Sequence, residues 1–485
     1  MQESTLKTID GKLSFREKFF YGIGDGGFNA LFAAISFYFS YFLINVGGVK
    51  PKLASIILII GKVWDALVCF VMGFISDKTE NKRFGNRRAY LLFDSLPFGA
   101  SFILIWLSIK NDSQALRVIY HLFAFMIFQT LYDIGYIPYN AISASMTPNY
   151  DERTSLNGYR IVLANLGILI GAAVFAVLAD GKESVFYGVF GELQKGYIIS
   201  GAIYSVIGAV ILFLCGLNVK ERIDAREKLS KPWYKGVSDL FHLPEFRSVA
   251  AWYCISLGGF DIILNVYMFY INDALDFGGG IMAMVLVAIP LIAAIGSAAG
   301  WVYFSEKYSK ESIYVISAIW LCIGLFISIA IPKKCLWGII LDATFVGIGM
   351  SAIQILPYAA VPDVCDIDEF VNGERKEGIM YGLLQFGYKV ISGIVTSLST
   401  AIIGFFGYVE STDGSKIDQS EKALKGVRGV FGIGPTIFFL IAIIPSIKSK
   451  ISRERINSIK VELDNRKKSV SLNKESSCEF QMSNE

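Results

Sequence analysis

Lys62-Val-Trp64-Asp65-Ala66-Leu-Val-Cys69-Phe70 sets a lysine and an aspartate inside an apolar stretch, and Gly73-Phe-Ile-Ser-Asp77-Lys78-Thr-Glu-Asn-Lys-Arg83-Phe-Gly85-Asn-Arg87-Arg88 comes directly after it. A charge at the centre of a bilayer costs roughly 2.5–3.5 kcal/mol on insertion scales, so it turns toward a bundle interior or a wet cavity. A basic loop directly after such a stretch marks the cytoplasmic end of a span. Together the two segments point to a membrane carrier with a polar interior.

The rest of the chain agrees. Of 485 residues, 54% are hydrophobic and only 18% charged, and the apolar residues run in stretches near the length of about 20 that crosses the hydrocarbon. Twelve such stretches lie near 19–45, 52–76, 89–109, 115–142, 156–180, 195–217, 248–272, 279–304, 311–331, 335–360, 378–408 and 427–447. The predicted fold class is therefore an all-α integral membrane protein. Its organisation reads as a segment 1–18, a six-helix bundle 19–217, a linker 218–247, a second six-helix bundle 248–447 and a tail 448–485. The linker carries Lys220, Arg222, Arg226, Lys228, Lys231 and Lys235. Lys and Arg concentrate in the loops on the side of the N-terminus, which predicts both termini in the cytoplasm of a multi-pass protein of the cell membrane.

Other function classes are disfavoured. A net charge of +3 gives no argument for nucleic acid, and the seven cysteines form no Cys-x-x-Cys or metal-ligand spacing. His121 and His242 are far apart in sequence, and His121, near the start of the fourth span, reads as interfacial. No Gly-x-x-x-x-Gly-Lys-Ser/Thr loop supports transport driven by ATP. No catalytic triad, metal or cofactor is expected, and no signal-peptide core precedes the first span. The glycines, among them Gly22, Gly24, Gly26 and Gly27, read as close-packing positions.

A short repeat supports two related halves. Ile137-Pro138-Tyr139-Asn140-Ala141-Ile142 closes the fourth span and Leu356-Pro357-Tyr358-Ala359-Ala360-Val361 closes the tenth. Each precedes an acidic stretch read as a loop, Asp151-Glu152-Arg153 in the first half and Asp363 to Arg375 in the second. Parallel repeats about an axis along the membrane normal, with a site between them, are the major facilitator design.

Helical spacing then groups the intramembrane polar residues onto faces. Asp25 and Asn29 are four apart; Lys62, Asp65 and Cys69 fall at i, i+3 and i+7, as do Asp133, Tyr136 and Asn140. Arg160 opens the fifth span, Asp261 and Asn265 lie on the seventh, Gln354 and Tyr358 on the tenth, and Gln385 and Lys389 on the eleventh. One reading is a central cavity where carboxylates accept from substrate hydroxyls, Arg and Lys donate, and Trp64, Tyr132 and Tyr136 stack on a sugar ring. The other is internal neutralisation, with Lys62 paired to Asp65 one turn away or an aspartate bonded to an adjacent helix for packing.

In order, Tyr21-Gly-Ile-Gly-Asp25-Gly-Gly-Phe-Asn29, Trp64-Asp65-Ala66, Gly73 through Arg88, Ile137-Pro-Tyr-Asn-Ala141, Asn149 through Arg160 and Asp363 through Gly378 resemble the glycoside–pentoside–hexuronide:cation symporters (melibiose permease-like), a major facilitator family. The resemblance implies uptake of a glycoside, oligosaccharide or uronide driven by a Na⁺, Li⁺ or H⁺ gradient. It implies that Asp25 and Arg160 bind sugar, that Asp65 is one of two carboxylates of a cation site, and that Lys389 stands near both. Asn29, Asp133, Tyr136, Asn140 and Gln385 complete the candidate substrate set; Asp65, Cys69 and Lys389 form the candidate coupling set.

Two departures qualify it. The family reads Trp-Asp-Ala-x-Asn-Asp-Pro on the second span, whereas Cys69 stands here in place of the second carboxylate, and Tyr136 replaces an aspartate before Ile-Pro. A thiol is a poor ligand for a hard cation, and the lost charge leaves Lys389 less compensated. The expectation is a sugar transporter working by alternating access, H⁺-coupled or uncoupled rather than Na⁺-coupled, with a monomer in the lipid bilayer as the prior. Asp77, Arg83, Arg87 and Arg88 are expected to lock the halves on the cytoplasmic side. The alternatives are a lysophospholipid transporter of the same fold and a non-transporting sensor.

Overall fold

Ser14 starts the first helix: its side chain accepts from the backbone N–H of Glu17, whose carboxylate accepts from the Ser14 N–H, a capping box that satisfies two otherwise unpaired donors. The computed structural model describes residues 13–462 except 80–82, 110–112, 148–149, 181–183, 223–232, 278–280, 374–376, 412–416, 450, 452–454, 457 and 460. Most of the segment 1–18 and of the tail lies outside these residues.

Among the described residues, twelve helices are long and apolar enough to cross a membrane. They are α1 Phe15–Asn45, α2 Pro51–Lys78, α3 Arg88–Ile105, α4 Gln114–Met146, α5 Tyr150–Leu169, α6 Leu193–Asn218, α7 Pro244–Phe269, α8 Ile281–Lys307, α9 Lys310–Ala330, α10 Leu336–Asn372, α11 Glu377–Phe405 and α12 Glu421–Lys448. Two continue through a π turn: α5 through Ile170–Val174 into Phe175–Ala179, and α7 through Tyr270–Ala274. Antiparallel succession puts the start of α1 and the end of α12 on one face, called here the terminal face; the opposite side is the far face. The halves α1–α6 and α7–α12 meet along α2 with α11, α1 with α7 and α5 with α8.

Both acidic stretches read as loops prove helical. Residues 150–155 form the first turns of α5, and α10 runs past Pro357 and Pro362 to Asn372. Gly373 stops it by adopting φ +75° and donating to the Glu369 carbonyl, the left-handed termination that glycine makes without steric cost. The acidic residues are accommodated by specific partners: Lys310 Nζ lies 2.5 Å from Asp363, and Asn372 donates to Asp368 over 2.6 Å. His121 is also not interfacial. It is fully buried, edge-on to Phe42.

Close packing of α1 on α5 is the feature that assembles the site. A Cβ added at Gly22 would stand 2.9 Å from the Tyr159 carbonyl, and one at Gly26 would stand 2.8 Å from that of Leu163. Gly167 and Gly171 press in turn on the backbone of Gly26 and Ala30. Without a hydrophobic drive between helices in lipid, small residues allow the backbones to approach and gain dispersion contact. Gly24 and Gly27 press instead on Cys215 and Ile211 of α6, so all four glycines stand at close-packed positions.

Candidate functional site

The α1–α5 seam brings Asp25 against Arg160. Arg160 Nε donates to Asp25 Oδ2 over 2.7 Å, and its Nη2 donates to Asn140 Oδ1 on α4. The guanidinium lies 5.6 Å from the centre of the Tyr139 ring, a cation–π contact. Asn29 supports this group from one turn away on α1, donating to the Asp25 carbonyl at 2.9 Å and to its carboxylate at 3.0 Å. The Asp25 side chain is 5% exposed and that of Arg160 is 23% exposed. Arg160 therefore keeps an edge open to a ligand while Asp25 fixes its orientation. Tyr136 stacks on Tyr132 with ring centres 4.9 Å apart, forming an aromatic wall beside the cluster.

A second cluster crosses between the halves. Lys389 of α11 donates to Asp65 of α2 at 2.8 Å and to Asp133 of α4 at 2.9 and 3.1 Å. Both carboxylates are almost wholly buried. Asp65 thus takes Lys389, not Lys62, as its partner; Lys62 instead lies 5.1 Å from the centre of the Phe32 ring. Cys69 follows Asp65 by four residues, about one turn along α2.

This arrangement overturns the expectation that Lys389 is less compensated. Asp133 supplies from α4 the second carboxylate that Cys69 does not supply from α2. Two carboxylates and one ammonium leave one negative charge in excess, the balance suited to one bound monovalent cation. Asp133 also stands apart from the substrate residues with which its spacing grouped it. It shares a helix face with Asn140, but seven residues correspond to about 10 Å along the axis.

The C-terminal half contributes a hydrogen-bonded wall. Gln385 of α11 donates to the hydroxyls of Tyr253 and Tyr358 at 3.0 and 3.3 Å, and Tyr388 donates to Asp261 at 3.2 Å. Gln385 therefore reaches tyrosines of α7 and α10. Asn265 donates to Ser399 and Thr400, each at 3.0 Å, which gives it a packing role.

The described part of the basic loop is bound within the N-terminal half. Glu221, just past α6, accepts from the backbone N–H groups of Asn86, Arg87 and Arg88 at 3.1, 2.8 and 2.7 Å. These donors stand at the start of α3, where a helix favours a negative charge. Arg87 Nη1 donates to the Ala141 carbonyl at 3.0 Å, and Arg88 Nε donates to that of Gly216. These bonds bind α3, α4 and α6 within the N-terminal half. Arg83 is exposed, and the Asp77 side chain lies outside the described residues.

The halves are joined toward the far face. Ser397 donates to the Ser55 carbonyl at 2.8 Å, Ser40 and Thr400 are 3.2 Å apart, and the Ser411 N–H donates to Ile44 at 3.1 Å. Beyond them Asn272 donates to Asp180 at 2.8 Å, and Tyr197 donates to the same carboxylate at 3.0 Å. A Cβ at Gly393 would lie 2.6 Å from the Lys62 Cβ, and one at Gly404 2.6 Å from that of Pro51. These contacts hold the two halves together on that side. Asp180 and Asn272 escaped the sequence reading because a pair on α5 and α7 has no local spacing signature.

Comparison with known proteins agrees with this architecture. The family described as MFS/sugar transport protein matches residues 20–453. The chain is 25% identical to the "Uncharacterized symporter YnaJ" of Bacillus subtilis, covering 94% of this chain and 96% of that protein. It is 24% identical to the sodium-dependent lysophosphatidylcholine symporter 1 of Xenopus tropicalis, covering 92% and 89%. The crystal structure of a D-xylose–proton symporter superposes with a TM-score of 0.62 at 14% identity, over 90% of this chain and 99% of that one; this likeness shows the major facilitator fold.

Proposed function

Because the chain belongs to the MFS/sugar transport protein family, a family of major facilitator symporters rather than enzymes, we propose that it carries a sugar across the membrane by alternating access, coupled to protons through Asp65, Lys389 and Asp133. The observation that carries the coupling is the convergence of two buried carboxylates on one ammonium between the halves. One bound proton brings the cluster to neutrality, which removes the cost of an excess charge at membrane depth. Lys389 belongs to α11 and both aspartates to the N-terminal half, so neutralising either carboxylate weakens a bond that holds the halves together. Proton binding and rocking of the halves are thereby linked.

The Asp25–Arg160–Asn140 group is the proposed sugar clamp. A guanidinium edge, a carboxylate and an amide offer donors and acceptors in fixed directions, and Tyr136 offers a ring face. Sodium is the competing ion, since two carboxylates offer the oxygens a hard cation takes, but Lys389 Nζ already occupies them at 2.8 and 2.9 Å. A lysophospholipid is the second reading, favoured by the 24% identity to the Xenopus symporter. Purified protein in liposomes discriminates these readings. Uptake of labelled glycosides driven by a pH gradient supports the proposal. Uptake that responds only to a Na⁺ gradient, or uptake of lysophosphatidylcholine without glycosides, overturns it.

A further inference from the structure

One helical turn from the Asp65–Lys389–Asp133 cluster, toward the far face, the same helices present a second polar layer. Lys62 precedes Asp65 by three residues, Gln129 precedes Asp133 by four, and Ser392 comes three after Lys389. These residues, with Asp261 from α7 and Ser36 and Ser40 from α1, line a cavity between the two halves that has room for only a few waters. Both amide atoms of Gln129, Oγ of Ser392 and Oδ2 of Asp261 are buried without a hydrogen-bond partner. Gln129 and Ser392 are each 1% exposed. A buried polar atom is costly to leave unpaired, and a buried water typically satisfies about three of them. The size and the lining together fit a short file of waters.

Such a file has two ends. At one, Lys62 and Gln129 stand a turn from Asp65 and Asp133, about 5 Å along their helices, a gap that water bridges. At the other, the lining continues through Asn265 and Thr396 to Ser40, whose hydroxyl lies 3.2 Å from that of Thr400. Lys389, Ser392, Thr396 and Thr400 recur at intervals of three, four and four, so one face of α11 carries the polar line from the cluster to this contact. Ser40 and Thr400 belong to opposite halves. Parting the halves on the far face therefore opens the file at Ser40, and a proton arriving from that side meets Asp261 before it meets the cluster.

Charge sets the direction of travel. Among the described lining residues the titratable side chains are Lys62 and Asp261, and their charges offset each other. Tyr388 donates to Asp261 Oδ1 at 3.2 Å, which leaves Oδ2 free to take a proton. A proton there leaves Lys62 uncompensated at membrane depth, whereas the cluster one turn away carries one negative charge in excess and is neutralised by the same proton. Asp261 is thus a waypoint and the cluster the destination. We propose that Asp261 is the relay carboxylate of proton coupling, with Gln129 and Ser392 holding the waters that join it to Asp65 and Asp133. An O–H bond forms at Asp261 Oδ2; that proton then passes to a water, which gives up one of its own along the file to Asp65 or Asp133, and Asp261 returns to carboxylate. The inference rests on the proton-coupling reading above and adds the route by which the cluster is loaded.

The test compares two rates in liposomes containing the full chain, using whichever of labelled methyl α-glucoside, β-glucoside, α-galactoside and β-xyloside the wild type takes up fastest. Net uptake driven by a pH gradient needs a proton to load and unload in every cycle; exchange of labelled for unlabelled sugar at equal acid pH on both sides does not. Asp261→Asn should slow net uptake about 100-fold, the scale on which a positioned proton carrier acts, and leave exchange at the wild-type rate. The double variant Lys62→Gln/Asp261→Asn, which keeps the cavity free of net charge, should do the same, and Gln129→Leu, which dries the file, should slow net uptake alone. Deuterated water should slow net uptake by a larger factor in Asp261→Asn than in the wild type, because proton transfer becomes the slow step. Net uptake at the wild-type rate in both Asp261 variants, or exchange slowed as much as net uptake in all three, overturns the relay and leaves the coupling cluster standing. Wild-type uptake that ignores the pH gradient overturns the coupling reading and the relay with it.

Discussion

Replacing Asp133 with asparagine keeps the shape of the cluster and removes one charge. The wild-type group of Asp65, Lys389 and Asp133 carries one excess negative charge, and the variant carries none. Lys389 retains Asp65 at 2.8 Å, so the ammonium is not orphaned. The expected stability loss is that of a charge-assisted hydrogen bond, about 1.5–3 kcal/mol, less than the roughly 3–5 kcal/mol of breaking a buried pair outright. The protein should therefore fold. Coupling should fail, because an already neutral cluster gains nothing by taking a proton. One proton per cycle across one pH unit supplies about 1.4 kcal/mol, enough for tenfold accumulation. Liposomes with an acid exterior should show wild-type sugar accumulation approaching that ratio, while Asp133→Asn should equilibrate near unity. Exchange of labelled for unlabelled sugar should persist in the variant, showing that rocking survives. An Asp133→Asn protein that still accumulates sugar about tenfold under the same gradient would refute the assignment.

Arg160→Lys replaces a fork that reaches both Asp25 and Asn140 with a single point of contact; sugar affinity should fall about 10- to 100-fold, read by isothermal titration. Gly167→Leu forces α1 from α5, with an expected overpacking cost of about 1–3 kcal/mol in thermal unfolding and a parallel loss of sugar binding. Glu221→Gln weakens three backbone hydrogen bonds at the start of α3, so the unfolding midpoint should drop while the proton-to-sugar ratio stays unchanged. Asn272→Ala frees Asp180 from the opposite half. Labelling of a cysteine placed at Ser40 by a membrane-impermeant thiol reagent should accelerate, and an unchanged rate would count against closure at this point.

The twelve spans were legible because a membrane requires long apolar runs, and that requirement leaves a direct trace in sequence. The acidic beginning of α5 and end of α10 were not, since hydropathy marks the edge of lipid rather than the end of a helix. At the site, spacing placed residues on the correct faces but gave no ruler for depth. Asp133 and Asn140 share a face of α4 and serve different clusters for that reason. Lys389 reaches Asp133 across 256 residues, and no periodicity predicts such a meeting. Gln129 was within reach of sequence reasoning: it stands four residues before Asp133 and is polar in an apolar run.

The π turn in α5 fixes an angle as well as a bend. Arg160 near the terminal end and Asp180 at the far end belong to one continuous rod, and each extra residue in an α-helix turns the downstream segment by about 100°. The wide turn at Ile170–Val174 resets that phase, and the Tyr204 and Tyr38 hydroxyls donate to the Ile170 and Ala172 carbonyls at 2.7 and 2.6 Å. Deleting one residue there would swing Asp180 away from Asn272 while leaving Arg160 on Asp25. The far contact and the clamp are thus set to their partners by a local change of winding, and either could be retuned without disturbing the other.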